Sequence, residues 1–249
     1  MCVFPEKYTP GYAIGLEECR ELAEPYDGDS IEAPRLCAKT YGLAVVLPYL
    51  ERTGSRYFDS IAVLDASGLL VANYRKGHLY GAAERRNYPF GQELPPVVEI
   101  NGVRTGVLTC YEDEFPPHHH HHHHHQPLAE AGARVVIGPT AADQHFPLAD
   151  GSVSQVPYQD ATRHIIPAMA SIWRLFVAYA NRRGCWEHTD AGSWQYQGNS
   201  GLWSPNGTCV IAAAAKDQAH NTCSSPTTIP PRTRRSAPRA TTCATTASA

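Results

Sequence analysis

The sequence predicts an α/β fold of stacked layers, and three observations predict it. Strand-like and helix-like patterns alternate from the start of the chain to about residue 215. Hydrophobic residues make up 43% of the 249 residues and charged residues 18%, enough to bury a sizeable core. Turn signals at Asp65–Gly68, Asn101-Gly102 and Pro205–Gly207 each separate two apolar runs, as hairpins do.

Taken in order, "DSIEAPRLCAKTYG" (29–42) reads as a helix. Asp29 is placed to cap it, Glu32 lies three residues on, and Gly42 can end it. Pro34, Cys37, Ala38 and Tyr41 fall on one helical face. "LAVVLPYL" (43–50) reads as a buried strand, with Pro48 pointing to an edge or a bulge. "FDSIAVLDASGLLVANYRK" (58–76) gives two strands around the Asp65–Gly68 turn. "PPVVEINGVRTGVLTC" (95–110) gives a hairpin at Asn101-Gly102, the strongest short turn signal in the chain. "ARVVIGPTA" (133–141) is a strand, and a helix is expected between Cys110 and it. Residues 155–175 read as a helix with a weak spot at Pro167, "LFVAYAN" (175–181) as a strand, and "GLWSPNGTCVIAAAA" (201–215) as a third hairpin.

One domain over 1–216 is expected, with the uninterrupted run His118–His125 inserted in it. Residues 217–249 are rich in Ser, Thr, Pro and Arg and poor in large apolar side chains. Such a segment cannot offset its ordering entropy, so disorder is expected there. A net charge of −3 argues against nucleic acid or an acidic membrane as the main partner. The longest apolar run is too short to span a bilayer, and the opening "MCVFPEKYTPGYAIG" lacks the basic and apolar regions of a signal peptide. Eight cysteines without a C-x-x-C pair read as reduced thiols, which points to the cytoplasm.

Three stretches could build a hydrolytic site: "VFPEKYTPGY" with Glu6, "NYRKGHLYGAAE" with Lys76 and Glu84, and "GVLTCYEDEFP" with Cys110. Each polar residue follows an apolar β-like run or lies just beyond one, and strand ends are where layered α/β folds expose catalytic groups. A free thiol ionises near pH 8.5, so a nearby ammonium would favour the thiolate while a carboxylate could take its proton. The structural roles these residues could fill instead are a buried thiol, a strand-end lysine, a surface carboxylate and part of the charged run "AAERR". The histidine run could share a divalent ion through i, i+4 imidazoles, or be a tolerated surface expansion. His78 reads as structural, and Trp173, Trp186, Trp194 and Trp203 as core or pocket lining.

"VFPE" with a following "GY", "YRKGHL" and "CYEDEFP", in that order, resemble the motifs of the nitrilase, or carbon–nitrogen hydrolase, superfamily and its amidase-like branch. "GPTA", "FVAYANR" and "SPNGT" resemble its later segments, so the resemblance runs to about residue 215. It implies a four-layer α-β-β-α sandwich, a homodimer, and a Glu-Lys-Cys triad of Glu6 as base, Lys76 as oxyanion clamp and Cys110 as nucleophile. It further implies Glu84 as a supporting carboxylate, the Tyr111 N–H as a second oxyanion donor, and Asn181 near the pocket. The substrate would be a small amide or nitrile, hydrolysed through a thioester with no metal or organic cofactor. Members of the superfamily carry a strand and a helix before the glutamate motif, so the N-terminal strand is expected to be missing here, and the chain's end to be divergent. Two other readings stay open: a non-catalytic fragment of this fold, and metal binding through the histidine run.

Overall fold

The computed structural model describes residues 1–114, 124–145, 152, 161–183, 187–189 and 192–213. The first sheet holds β1 (Cys2–Val3), β2 (Val45–Thr53), β3 (Arg56–Leu64) and β4 (Leu70–Arg75), in that order. The second holds β5 (Val97–Ile100), β6 (Val103–Val107), β7 (Val135–Thr140), β9 (Phe176–Asn181), β12 (Gly201–Trp203) and β13 (Cys209–Ala212), ordered β13-β12-β9-β7-β6-β5. A small third sheet pairs β8 (Asp143–His145), β10 (Glu187–Thr189) and β11 (Gly192–Tyr196). The helices are α1 (Leu16–Leu22), α2 (Asp29–Tyr41), α3 (Gly81–Asn87), α4 (Tyr111–Glu114), α5 (His125–Glu130) and α6 (Ala161–Trp173).

Alternation along the strands builds four layers. Val46, Ile61, Val63 and Tyr74 of the first sheet meet Ile100, Val107 and Ile137 of the second in one shared cluster. Their sequence neighbours face the other way: Val45, Leu47, Ala62 and Leu64 pack on Ile31 and Ala38 of α2. Leu108, Val136 and Val177 pack on Ile166 and Ala170 of α6 and Leu128 of α5. This is the α-β-β-α sandwich, and side-chain period two is what lets each strand serve both interfaces.

All three expected hairpins form. Asn101 (φ 52°) and Gly102 (φ 76°) turn β5 into β6, the positive φ pair that a tight two-residue turn requires. Asp65 Oδ1 accepts from the Ser67 and Leu69 amides to close the turn after β3.

Several expectations need correction. Pro48 marks neither an edge nor a bulge, because β2 lies between β1 and β3 with regular register from Val45 to Thr53. Its carbonyl accepts from Tyr8 N–H, so its nitrogen faces the N-terminal segment beyond the end of β1, where no ladder bond is lost. Helix α2 buries Ile31 and Ala38, while Cys37 and Tyr41 are exposed, so the inward face is turned from the one expected. Gly28, not Asp29, is its N-cap, and Glu24 supplies the acceptor for the Ser30 amide. Gly42 ends it at φ 61°, as expected. The α1 and α3 helices and the third sheet carry no strong periodicity and are additions to the expected elements. The start of the expected 155–175 helix, most of the histidine run and the 217–249 tail lie outside the described residues.

Candidate active site

Strands β1 and β4 of the first sheet and β6, β7 and β9 of the second run the same way within their sheets, and their C-terminal ends supply the site. Glu6 follows β1. Its amide donates to Thr140 O at 3.3 Å, and its carbonyl accepts from Arg182 Nε at 3.0 Å, so residues of the second sheet hold it. Lys76 follows β4 directly, with its amide on Asp59 O and its carbonyl taking the Gly91 amide. Cys110 lies past β6, its amide on Pro139 O.

Cys110 has φ 48°, a left-handed conformation that a residue with a Cβ adopts rarely and at a cost of about 1–3 kcal/mol. The turn is closed by Asp113 and Glu114 amides donating to the Cys110 carbonyl, which starts α4. The Ala141 backbone amide favours the charged form of the sulfur, though only weakly against the burial. Glu112 fixes this turn from behind, accepting from Tyr74 OH and from the Gly77, His78 and Thr109 amides. The lysine motif and the cysteine motif are therefore stitched together through one buried carboxylate.

Lys76 is the centre of the charge cluster. Its Nζ lies 2.6 Å from Glu6 Oε1, 3.0 Å from Glu84 Oε2 and 3.9 Å from Asp59 Oδ2. All of these side chains are buried. Burial opposes the Lys76 charge, yet Glu6 and Glu84 outweigh it and push the ammonium well above its ordinary value. Glu84 also accepts from Tyr12 OH and the Tyr80 amide and pairs with Lys7 at 3.8 Å. Burial works against its ionisation, but Lys76 and Lys7 hold its carboxyl below the usual range. Asp59 has neither oxygen hydrogen-bonded, and burial together with Glu6 drives its pKa well up against the pull of Lys7 and Lys76. Oxygens of Glu6, Asp59 and Glu84 lie within 4.8 Å of one another, the spacing of a cation site, and the Lys76 ammonium occupies that role.

The thiol behaves differently from the sequence expectation. Burial, and then Glu6, push Cys110 well above its ordinary pKa, and Lys76 only partly offsets them. Its surroundings favour the thiol over the thiolate.

Cys110 opens onto a small pocket lined by Tyr12, Tyr80, Tyr111, Glu114, Ala141, Ala142 and Asp143, with about 10 Å³ of water-sized space. Asn181, at the end of β9, shapes its rim, because its side chain accepts from the Ala142 amide at 2.9 Å. Tyr111 begins α4 beside the sulfur. The structure thus brings Glu6, Lys76 and Glu84 into direct contact, with Cys110, Tyr111 and Asn181 around the adjoining pocket.

Residues that sequence reasoning missed are Asp59, Lys7, Tyr12, Glu112 and Glu114. The acidic triplet after Cys110 was the available signal, since solvated carboxylates rarely follow a buried strand so closely. Glu114 is held by the Tyr179 hydroxyl, and burial raises its pKa to about 8. The end of the histidine run is also corrected. His124 and His125 are buried rather than surface residues, with the His124 ring 4.3 Å from that of His78 and His125 Nε2 2.7 Å from Asp113 Oδ1. Trp203 is core, and Trp194 packs with Tyr12 and Ala141. Trp186 lies outside the described residues.

A family model described as carbon-nitrogen hydrolase matches residues 1–226. The chain belongs to the carbon–nitrogen hydrolase family. This is a family of amidase- and nitrilase-like enzymes. The chain is 33% identical over 220 residues to a hydrolase in the pqqF 5′ region of Pseudomonas protegens, covering 88% of this chain and 69% of that one. It is 30% identical over 184 residues to an (R)-stereoselective amidase of Pseudomonas sp., covering 74% and 59%. It is 28% identical over 211 residues to N-carbamoylputrescine amidase of Solanum lycopersicum, covering 82% and 66%. The chain therefore spans 59–69% of the length of these relatives. A solved amidase of Nesterenkonia sp. shares the fold, with a TM-score of 0.69 at 24% identity over 85% of this chain and 72% of that one. Among the described residues, no helix is long and apolar enough to cross a membrane.

Proposed function

We propose that this carbon–nitrogen hydrolase cleaves small amides, and nitriles as a second substrate type, through Cys110. The observation that carries the reading is the buried Lys76 ammonium, 2.6 Å from Glu6 and 3.0 Å from Glu84, next to a cysteine at positive φ in a pocket wall. Desolvating a cluster of ions like this one is costly, which supports a functional role for it.

Cys110 attacks the amide carbon as Glu6 takes its proton, so no thiolate need accumulate beforehand. The carbonyl π pair moves to oxygen, and the oxyanion rests against Lys76 and the Tyr111 N–H, each such donor worth roughly 3 kcal/mol. Collapse breaks the C–N bond, and the leaving nitrogen takes the proton held by Glu6. Water then attacks the thioester, giving a proton to Glu6. Collapse releases the carboxylic acid and returns that proton to sulfur. Glu84 and Asn181 act as positioning residues: Glu84 for Lys76, and Asn181 for the 141–142 backbone that lines the pocket with Cys110. No metal or organic cofactor enters the scheme. The unit that performs it is residues 1–216.

Two features extend the reading. A thiol nucleophile works best where thiols stay reduced, as in the cytoplasm. Ile172, Val210 and Ile211 are exposed on α6 and on the edge strand β13, apolar surface that a homodimer would cover.

The test is ammonia release from propionamide by wild type, Cys110→Ala and Lys76→Met. Release by wild type that falls at least about 1,000-fold in each variant supports the scheme. Release that survives Cys110→Ala would remove the nucleophile from it.

A further inference from the structure

We propose that the pocket beside Cys110 selects amides whose small acyl group carries a positive charge, read by Glu114. This deepens the hydrolase reading and rests on it. Among the described residues, the pocket lining offers two carboxyl groups, three phenol rings and two alanines, and no lysine, arginine or histidine. The Lys76 ammonium is committed to Glu6 and Glu84 at 2.6 and 3.0 Å.

Glu114 is the key group. It is 3% exposed, and its described hydrogen-bond partner is a neutral phenol, Tyr179 OH. Among the described residues no cation forms an ion pair with it. A carboxyl buried in that way is costly to ionise until an opposite charge arrives. Its raised pKa fits a group awaiting such a partner. An ammonium on the substrate, seated against Glu114 while its amide carbon meets the Cys110 sulfur, supplies the charge the site lacks.

The rings favour the same ligand. Tyr80 and Tyr111 lie with centroids 5.6 Å apart on the pocket wall, and aromatic faces attract cations. The molecule already uses this contact next door, where Lys7 Nζ lies 4.1 Å from the Tyr12 ring centre. Amides bearing a carboxylate meet the opposite situation, like charges in a desolvated space, and are rejected. The space of about 10 Å³ restricts the acyl group to a few atoms unless the walls move.

Three amides of similar length separate charge from size: β-alaninamide, butyramide and succinamate. Wild type is expected to give kcat/KM in that order, with β-alaninamide ahead of butyramide by about tenfold or more. In Glu114→Gln the ratio between these two substrates should fall by about tenfold. Butyramide turned over as well as β-alaninamide, or a ratio unmoved in Glu114→Gln, overturns the proposal. Calorimetric binding to Cys110→Ala makes the result independent of turnover. Tighter binding of β-alaninamide than of butyramide supports charge selection even if no amide is hydrolysed, which would sink the hydrolase reading alone. Equal binding sinks charge selection while leaving that reading intact.

Discussion

At the scale of single residues, Cys110 draws its reactivity from geometry more than from charge. Its backbone is turned to φ 48°, and burial with Glu6 pushes its thiol well above the ordinary pKa, so the proposed reaction needs a base. The residues of the proposed triad were legible as candidates because each sits in a short motif: Glu6 in "VFPE", Lys76 in "YRKGHL", Cys110 in "CYEDEFP". Their support was not, because burial of Asp59, Glu112 and Glu114 comes from the fold around them and not from their own neighbours in sequence. Glu114 gives a prediction on stability. Burial raises its pKa to about 8, above the ordinary carboxylate value, so the folded state binds this proton more tightly than the unfolded one. Its contribution is complete at low pH and is lost as pH rises through about 8, on the order of a few kcal/mol. Glu112, raised to about 7 by burial, adds a loss of the same sign. Thermal melts from pH 5 to 9 should show the wild-type midpoint falling more steeply than that of Glu114→Gln. Parallel curves would contradict the assignment.

At the scale of elements, the site depends on where strands stop. β4 ends at Arg75, and Lys76 is set by two backbone bonds, its amide to Asp59 O and its carbonyl from Gly91 N–H. Gly91 approaches so closely that a Cβ there would collide with the Arg75 carbonyl and lie 3.1 Å from the Arg75 Cβ. Gly91→Ala is expected to cost about 1–3 kcal/mol and to displace Lys76, lowering kcat more than it raises KM. Urea titration and steady-state kinetics on the same sample check this, and unchanged kcat would show that the Lys76 backbone tolerates the shift. Hairpins were readable because turn chemistry is local, as Asn101-Gly102 demonstrates. The inward face of α2 was not, because Ile31 and Ala38 sit seven apart and the periodicity alone allowed a rotation toward Cys37 and Tyr41. Pro48 misled for a related reason: a proline is barred from a ladder only on the side where its missing N–H would bond, and β1 is too short to ask for it.

At the scale of the whole molecule, the two sheets act as a clamp. Glu6 and Lys76 come from the first sheet's strand ends, Cys110 and Asn181 from the second's, and Arg182 crosses between them to the Glu6 and Lys7 carbonyls. The inter-sheet cluster around Val107 and Ile137 sets their spacing. Ile137→Ala removes fully buried methyl groups from that layer and is expected to cost about 2–5 kcal/mol in denaturant titrations. A cost below about 1 kcal/mol would mean the layer is loosely packed. The layered class was legible from alternating patterns, and its four-layer form from the motifs. The third sheet was not, since three-residue strands such as β8 and β10 carry too little pattern to read.

The chemistry assigned to this assembly predicts one covalent species. Enzyme mixed with propionamide and quenched in acid within a single turnover should carry the acyl mass on the peptide containing Cys110, removable by hydroxylamine as a thioester is. Acyl label on a different residue, or single-turnover release of ammonia from propionamide with no label on Cys110, would contradict the account.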